Sequence, residues 1–420
     1  MRLLLALSAL EDWEIEALDV KTAFLYGNLD EELYMEQPEG FVVKGQERKV
    51  YKLKKALYGL KQAAIAWNKQ ANKSLTKLGF KRCLSDTGVY TLTQNNHTLV
   101  VVLYVDDVLF MGNNMLLLKE KKNAFMKMWE CRDLGPISEY LRMKIVRDRN
   151  SKKLIIDQID YAKKVVERFG QQNAKPTYVP LPVGYQPKAN EGTAKPEQRS
   201  YYQSIIGPLL YLALGTRPDI VHAVIMMSQF MVNPSEDHIN KGLHIVRYVN
   251  TNLNSKIGYD GKQQEGFIAY ADADWASDHI SRKSVTGYII KLAGGAVSWV
   301  SRKQKTVALS STEAEYMCLS DTTRQIVWIE SLFKEMNFDI SNIALCGDNQ
   351  GAIFLASNPP QEHRSKHIDI RYHYIRECVE EKKVILHYVP TMEQIADIMT
   401  KCLSYDKFKK FRNQLGITIP

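Results

Sequence analysis

The run Val100-Val101-Val102-Leu103-Tyr104-Val105-Asp106-Asp107-Val108-Leu109-Phe110 decides how the rest of the chain is read. Two adjacent carboxylates divide two short β-branched and aliphatic runs, each the length of a buried strand. Burying an unpaired charge is expensive, so acids in such a place need a counter-charge. A tight hairpin would lift Asp106 and Asp107 to its tip, where a divalent cation could supply that charge. An ordinary Asp-Asp turn between paired strands reads the same pattern equally well.

Upstream, Trp13 to Val20 alternates and delivers Asp19 at a strand end. Alone, such an Asp is most simply a cap. With Asp106 and Asp107 it makes three carboxylates, enough to hold two Mg²⁺ ions, which prefer hard oxygen ligands.

A chain of 420 residues, 45% hydrophobic and 25% charged, is a soluble globular protein with room for two or three domains. Its net charge of +9 favours a polyanionic partner. The six cysteines are scattered without a C-x-x-C pair, which argues for reduced thiols inside the cell (cytoplasm or nucleus). Met1 to Leu10 is apolar, but Glu11, Asp12 and Glu14 follow at once, so a buried amphipathic helix is expected there, not a secretion signal. No run reaches the roughly 18 apolar residues of a membrane span.

Longer runs carry a resemblance. Leu18 to Gly27 (Leu-Asp-Val-Lys-Thr-Ala-Phe-Leu-Tyr-Gly), Leu33 to Phe41, Leu53 to Ala63 and the Tyr104-Val105-Asp106-Asp107 tetrad resemble the reverse transcriptase of copia-type retrotransposon Pol polyproteins. That resemblance implies that Asp19, Asp106 and Asp107 are the metal-binding, catalytic triad of a palm, with Tyr104 beside the substrate. It implies that Phe24 shuts out a ribose 2′-hydroxyl, although plain core packing explains an aromatic there equally well. Gln62 falls in the segment that meets nucleotide and template. The implied partners are an RNA template, a DNA primer and a dNTP. Two departures stand out: Ala64-Ile65 where the family has Pro-Arg, and Arg142 where it has a glycine, whose conformations an arginine does not freely adopt.

Lys49, Lys52, Lys54, Lys55 and Lys61, interleaved with Tyr51 and Tyr58, suit a phosphate backbone or simply a solvated face. Asp86-Thr87-Gly88 spells a protease tripeptide but stands alone. Met115 to Trp129 has helical spacing that Leu134-Gly135-Pro136 breaks; two strands flank Asp148-Arg149-Asn150-Ser151, and a helix follows over Tyr161 to Phe169. Five prolines between 171 and 200 mark a linker, and the segment from Tyr201, which also resembles that family, implies a connection over 201–265.

The last third holds a second set of acids. Gly266 to Trp275 is an apolar strand ending in Asp272 and Asp274. Thr286 to Leu292 and Ala296 to Val300 read as a hairpin, and Ser310-Ser311-Thr312-Glu313 opens a helix with a capping signature. Ile343 to Gln350 is a strand ending in Asp348, and Asp397 lies on a later helix. With Lys366 to Tyr372, this order resembles the ribonuclease H region of the same family. It implies that Asp272, Glu315, Asp348 and Asp397 hold two Mg²⁺ (or Mn²⁺) ions and act on an RNA–DNA hybrid. Asp274 is an alternative to Asp272, and Glu313 is explained by the helix dipole. His363, His367 and His373 have partial zinc spacing; His367 and Asp369 are better substrate-side or structural.

The expected fold is mixed, α+β and α/β. A reverse-transcriptase palm and partial thumb (1–170) precede the linker (171–200), connection (201–265), a ribonuclease H-like domain (266–402) and a basic helical tail (403–420). Only 18 residues precede Asp19, so the family's fingers, integrase and protease regions are absent from this sequence, and weak or absent DNA synthesis with hybrid cleavage is expected. The rival from another class is an inert nucleic-acid-binding fragment.

Overall fold

The computed structural model describes residues 1–263, 266–340, 342–358 and 374–419. The chain divides into two compact units, 13–137 with 335–337, and 1–12 with 138–334 and 338–420. Residues 1–12 and 138–170, placed with the palm by sequence, thus cluster with the C-terminal half.

The smaller unit is built on an antiparallel six-stranded sheet. Its order is Lys81–Arg82, Val89–Gln94, His97–Tyr104, Asp107–Gly112, Glu14–Val20, Cys131–Pro136. The central strands are Val- and Leu-rich and bury Leu18, Val101, Leu103, Val108 and Phe110 against the helices Ala63–Lys77 and Met115–Met126. The break at Leu134-Gly135-Pro136 proves to lie within an edge strand. There the register shifts between Ala17 and Leu18, and the proline, which has no N–H to give, sits at the strand's last position. The Asp86-Thr87-Gly88 tripeptide is a turn in which the Asp86 carboxylate accepts the Gly88 N–H at 2.9 Å.

The larger unit holds two sheets. One runs Ile417–Thr418, Lys256–Asp260, Lys153–Asp157, Met143–Asp148, Glu139–Tyr140, all antiparallel. Leu141 and Arg142 close its first hairpin at φ +49° and +59°, so the arginine takes the left-handed conformation a glycine would adopt without cost. The helix Arg2–Leu10 buries every residue from Leu3 to Ala9, so it is a core helix and not an amphipathic one. Residues 171–195 carry no regular element, but the Ala194 N–H reaches Asn233 Oδ1 at 2.8 Å and Leu181 is buried. Pro196 then opens a 20-residue helix, where its missing N–H is harmless.

The second sheet has the order Gly295–Lys303, Val285–Leu292, Ile268–Asp274, Ile343–Gly347, Val384–Tyr388. Its first three strands are antiparallel and its last two pairings parallel. The 25-residue helix Ser311–Glu335 buries Ala314, Cys318, Leu319, Ile326 and Phe333. Ser310 Oγ accepts the Glu313 N–H at 3.2 Å, the cap its sequence promised, while Glu313 Oε2 reaches back one residue further, to the Leu309 N–H at 2.8 Å.

Candidate functional site

In the smaller unit, strands His97–Tyr104 and Asp107–Gly112 are joined by the two-residue turn Val105-Asp106, so both acids stand at a hairpin tip. Asp19 lies directly across from Asp107 on the neighbouring strand, and the Asp106 carbonyl accepts the Val20 N–H at 2.8 Å. Backbone pairing alone therefore brings Asp19, Asp106 and Asp107 to one end of the sheet. All three are half-buried, and Tyr104 beside them is 56% exposed. The turn is held from below by Trp67, whose indole N–H donates to the Val105 carbonyl at 2.6 Å, a support that sequence reading missed. Phe24 packs on the core with its ring 4.7 Å from that of Tyr58. Gln62, the residue before helix Ala63–Lys77, donates to Glu31 at 2.5 Å. Lys49, Lys52, Lys54, Lys55 and Lys61 are all exposed.

The larger unit gathers its acids more tightly. Asp272 is on the middle strand of the second sheet, Asp348 just follows the parallel strand Ile343–Gly347, and Asp397 sits in the 3-10 turn Ile395–Met399. Oxygens of these three lie within 4.8 Å of one another; among the described residues no other trio of acid, His or Cys side chains does so. Asp274, the alternative on the same strand, is not in the trio.

Two residues explain how the turn reaches the sheet. Gly287 faces Asp272 across the strands, and a Cβ there would meet Met399 Cβ and Thr400 Cγ2 at 2.6 Å, so only glycine lets the turn pack this closely. Gln394 donates to the Ala271 carbonyl at 2.9 Å and accepts the Ala396 N–H, tying the turn to the strand. Glu315, near the start of the long helix, is buried beside the trio, and Cys318, one turn on, donates its S–H to the Asp272 carbonyl at 3.1 Å.

Burial dominates the electrostatics. Asp272 and Asp397 are 1% and 0% exposed. Burial pushes the Asp272 carboxyl up to about 7, with Lys401 opposing and Asp397 adding to the rise. Burial, Asp272 and Asp348 push Glu315 well above the usual carboxylate range. Lys401 donates to Asp397 Oδ1 at 2.7 Å and to Asp272 Oδ1 at 3.2 Å; Lys407 donates to Asp397 Oδ2 and Thr400 to Asp272 Oδ2. The two aspartates raise Lys401 despite a burial that works the other way. Asp348 accepts from the Thr391 hydroxyl at 2.7 Å. Sequence reading missed Lys401, Lys407 and Thr400. The i, i+4 spacing of Asp397 and Lys401 was the available signal for one of them; Lys407, in the helix Tyr405–Gln414, carried none.

Closely set, buried carboxylates fit a hard divalent cation, because such an ion offsets a desolvation that hydrogen bonds alone offset poorly. His363, His367, Asp369 and His373 lie outside the described residues. Among the described residues no helix is long and apolar enough to cross a membrane.

Residues 1–183 match the family described as reverse transcriptase (RNA-dependent DNA polymerase). The chain is 39% identical over 99% of its length to the retrovirus-related Pol polyprotein from transposon TNT 1-94 of Nicotiana tabacum, and 36% identical over 99% to that from transposon RE2 of Arabidopsis thaliana. It spans 32% and 28% of those proteins. A putative transposon Ty5-1 protein of Saccharomyces cerevisiae is matched over its whole length, at 32% identity across 74% of this chain. A solved foamy viral protease–reverse transcriptase in complex with double-stranded DNA aligns over 91% of this chain and 60% of its own at 11% identity. Its TM-score is 0.24, a likeness too slight to bear on the fold.

Proposed function

We propose, from the premise that this chain belongs to the copia-type retrotransposon Pol family, that it carries the sites of an RNA-directed DNA polymerase and of an RNA–DNA hybrid ribonuclease. The smaller unit is the palm. Asp19, Asp106 and Asp107 hold divalent cations at its hairpin tip, and Tyr104 lies against the primer end. Phe24, fixed between the core and Tyr58, limits space at the sugar. Gln62 meets nucleotide or template, and the exposed Lys and Tyr residues of 49–61 follow the phosphate backbone.

The second sheet, with its long helix, is the ribonuclease H-like layer. The observation that supports this reading is the convergence of Asp272, Asp348 and Asp397 with Glu315 beside them; in chain order a strand, a helix, a strand end and a 3-10 turn supply them, the turn standing where a helix was expected. These four residues would hold Mg²⁺ or Mn²⁺, which in such sites activates water and stabilises charge on the phosphate. Gly287 and Gln394 set the turn that presents Asp397. His367, outside the described residues, remains a substrate-side candidate.

The test is Mg²⁺-dependent cleavage of a labelled RNA–DNA hybrid by the purified chain, beside Asp348→Asn. Losing a metal ligand should cost more than losing a residue that merely orients one, so cleavage should fall at least about a hundredfold. No cleavage by the wild type, with hybrid binding retained and the fold intact, would favour an inert binding protein.

A further inference from the structure

We propose that Lys401 is the resident counter-ion of the Asp272–Asp348–Asp397 site and that a divalent cation loads by displacing it toward Asp274. The proposal deepens the metal-site reading above and rests on it.

Every oxygen of Asp272 and Asp397 already accepts a hydrogen bond. Lys401 and Thr400 take the two of Asp272; Lys401 and Lys407 take the two of Asp397. Lys401 is the group common to both carboxylates, so it occupies the charge position that a bridging cation would need. An ammonium and a divalent ion on the same buried oxygens repel strongly, because little water screens them. One must leave.

Lys401 is the one equipped to leave. Its side chain is 33% exposed against 18% for Lys407, which touches Asp397 alone and also stands 5.3 Å over the Phe411 ring. Lys401 also lines a cavity of about 190 Å³ together with Asp274, His222, Thr400 and Cys402. Asp274 already acts on the Lys401 charge. The cavity thus offers the released ammonium room and the Asp274 carboxylate, while its cations Lys303 and Arg302 are paired with Asp278 and Asp321. This gives Asp274 a task that its absence from the trio left open.

The test measures Mn²⁺ binding to the full chain, by the electron paramagnetic resonance of free Mn²⁺, for wild type, Lys401→Met, Asp274→Asn and Asp397→Asn. Lys401→Met should bind Mn²⁺ about tenfold tighter, as removal of a neighbouring like charge implies, and should melt at a lower temperature in EDTA. Asp274→Asn should bind it more weakly, and the double variant should match Lys401→Met. In the wild type, labelling of Lys401 by an amine-reactive ester should rise when Mg²⁺ is added, a readout that holds even where a variant folds poorly. Unchanged or weaker Mn²⁺ binding by folded Lys401→Met, or labelling indifferent to Mg²⁺, overturns the proposal. If Asp397→Asn leaves Mn²⁺ binding untouched, the metal-site reading falls and the proposal with it. If Asp397→Asn removes the Mn²⁺ binding of this site, leaving that of the Asp19–Asp106–Asp107 tip, while Lys401→Met does not tighten it, the proposal falls alone.

Discussion

In the smaller unit, Asp19, Asp106 and Asp107 are brought to one edge by strand pairing and a two-residue turn, and all three stay half-buried. In the larger unit, Asp272 and Asp397 are fully buried, and side chains hold them: two lysines, a threonine and a turn pressed against Gly287. Acids at a half-buried hairpin tip are reached by solvent and need no internal counter-charge. Buried acids such as Asp272 and Asp397 must carry their own counter-charge. The smaller unit does own a buried lysine, but it serves another acid. Lys122 pairs with Glu16 in the interior and reaches Asp133 at 2.6 Å, fastening the edge strand to the strand that bears Asp19.

That contrast breaks first at Lys122. Replacing it with Met leaves Glu16 buried without its partner, which should cost about 3–5 kcal/mol of stability in urea melts. Lys401→Met should cost clearly less, because Lys407 stays on Asp397 and Asp272, raised to about 7, can take a proton in place of its ion pair. A loss under about 1 kcal/mol for Lys122→Met would mean that solvent reaches Glu16 and that the smaller unit needs no internal counter-charge.

The next test is pH. Asp272 is raised in the folded protein, so between the ordinary carboxylate range and about 7 the native state holds a proton that the unfolded chain has lost. Stability of the metal-free protein should therefore fall as pH rises through this window, by at most about 1.4 kcal/mol per pH unit from this group, and level off above it. Mg²⁺ favours the ionised carboxylate, so its stabilisation should be larger at pH 8 than at pH 6. Thermal melts with Mg²⁺ and with EDTA at both values check the sign. An Mg²⁺ effect that shrinks with pH would contradict the burial of this acid.

The sequence displayed the acids of both sites because each stands at the end of an apolar run, where alternation stops and charge begins. The hairpin, the strand pair around Asp148 and the capped helix after Ser310 were legible for the same local reason. The strand Cys131–Pro136 was not: as an edge strand it buries little, and without a buried face there is no alternation to see. Lys401 and Lys407 escaped because a lysine beside a buried carboxylate looks, in sequence, like any surface lysine. Only the close approach at Gly287 and the fold of the C-terminal helix put them there.

The smallest effect concerns how the hairpin tip is held. Val105 turns the chain at φ +56°, a conformation that a β-branched residue adopts only under constraint. The constraint is visible in the Trp67 indole bonded to the Val105 carbonyl and in the Val20 N–H bonded to that of Asp106. Val105→Gly releases local strain of about 1–3 kcal/mol. It also lets the unfolded chain gain entropy, a cost of roughly 0.5–1 kcal/mol. A net stabilisation of between about 0 and 2.5 kcal/mol is expected, read from urea melts. Backbone pairing still fixes the acids, so hydrogen exchange at Val20 should stay slow. Should exchange there speed up markedly, the valine itself, and not strand pairing, would be what aligns Asp19 with Asp107, and both sites would then depend on side chains for their geometry.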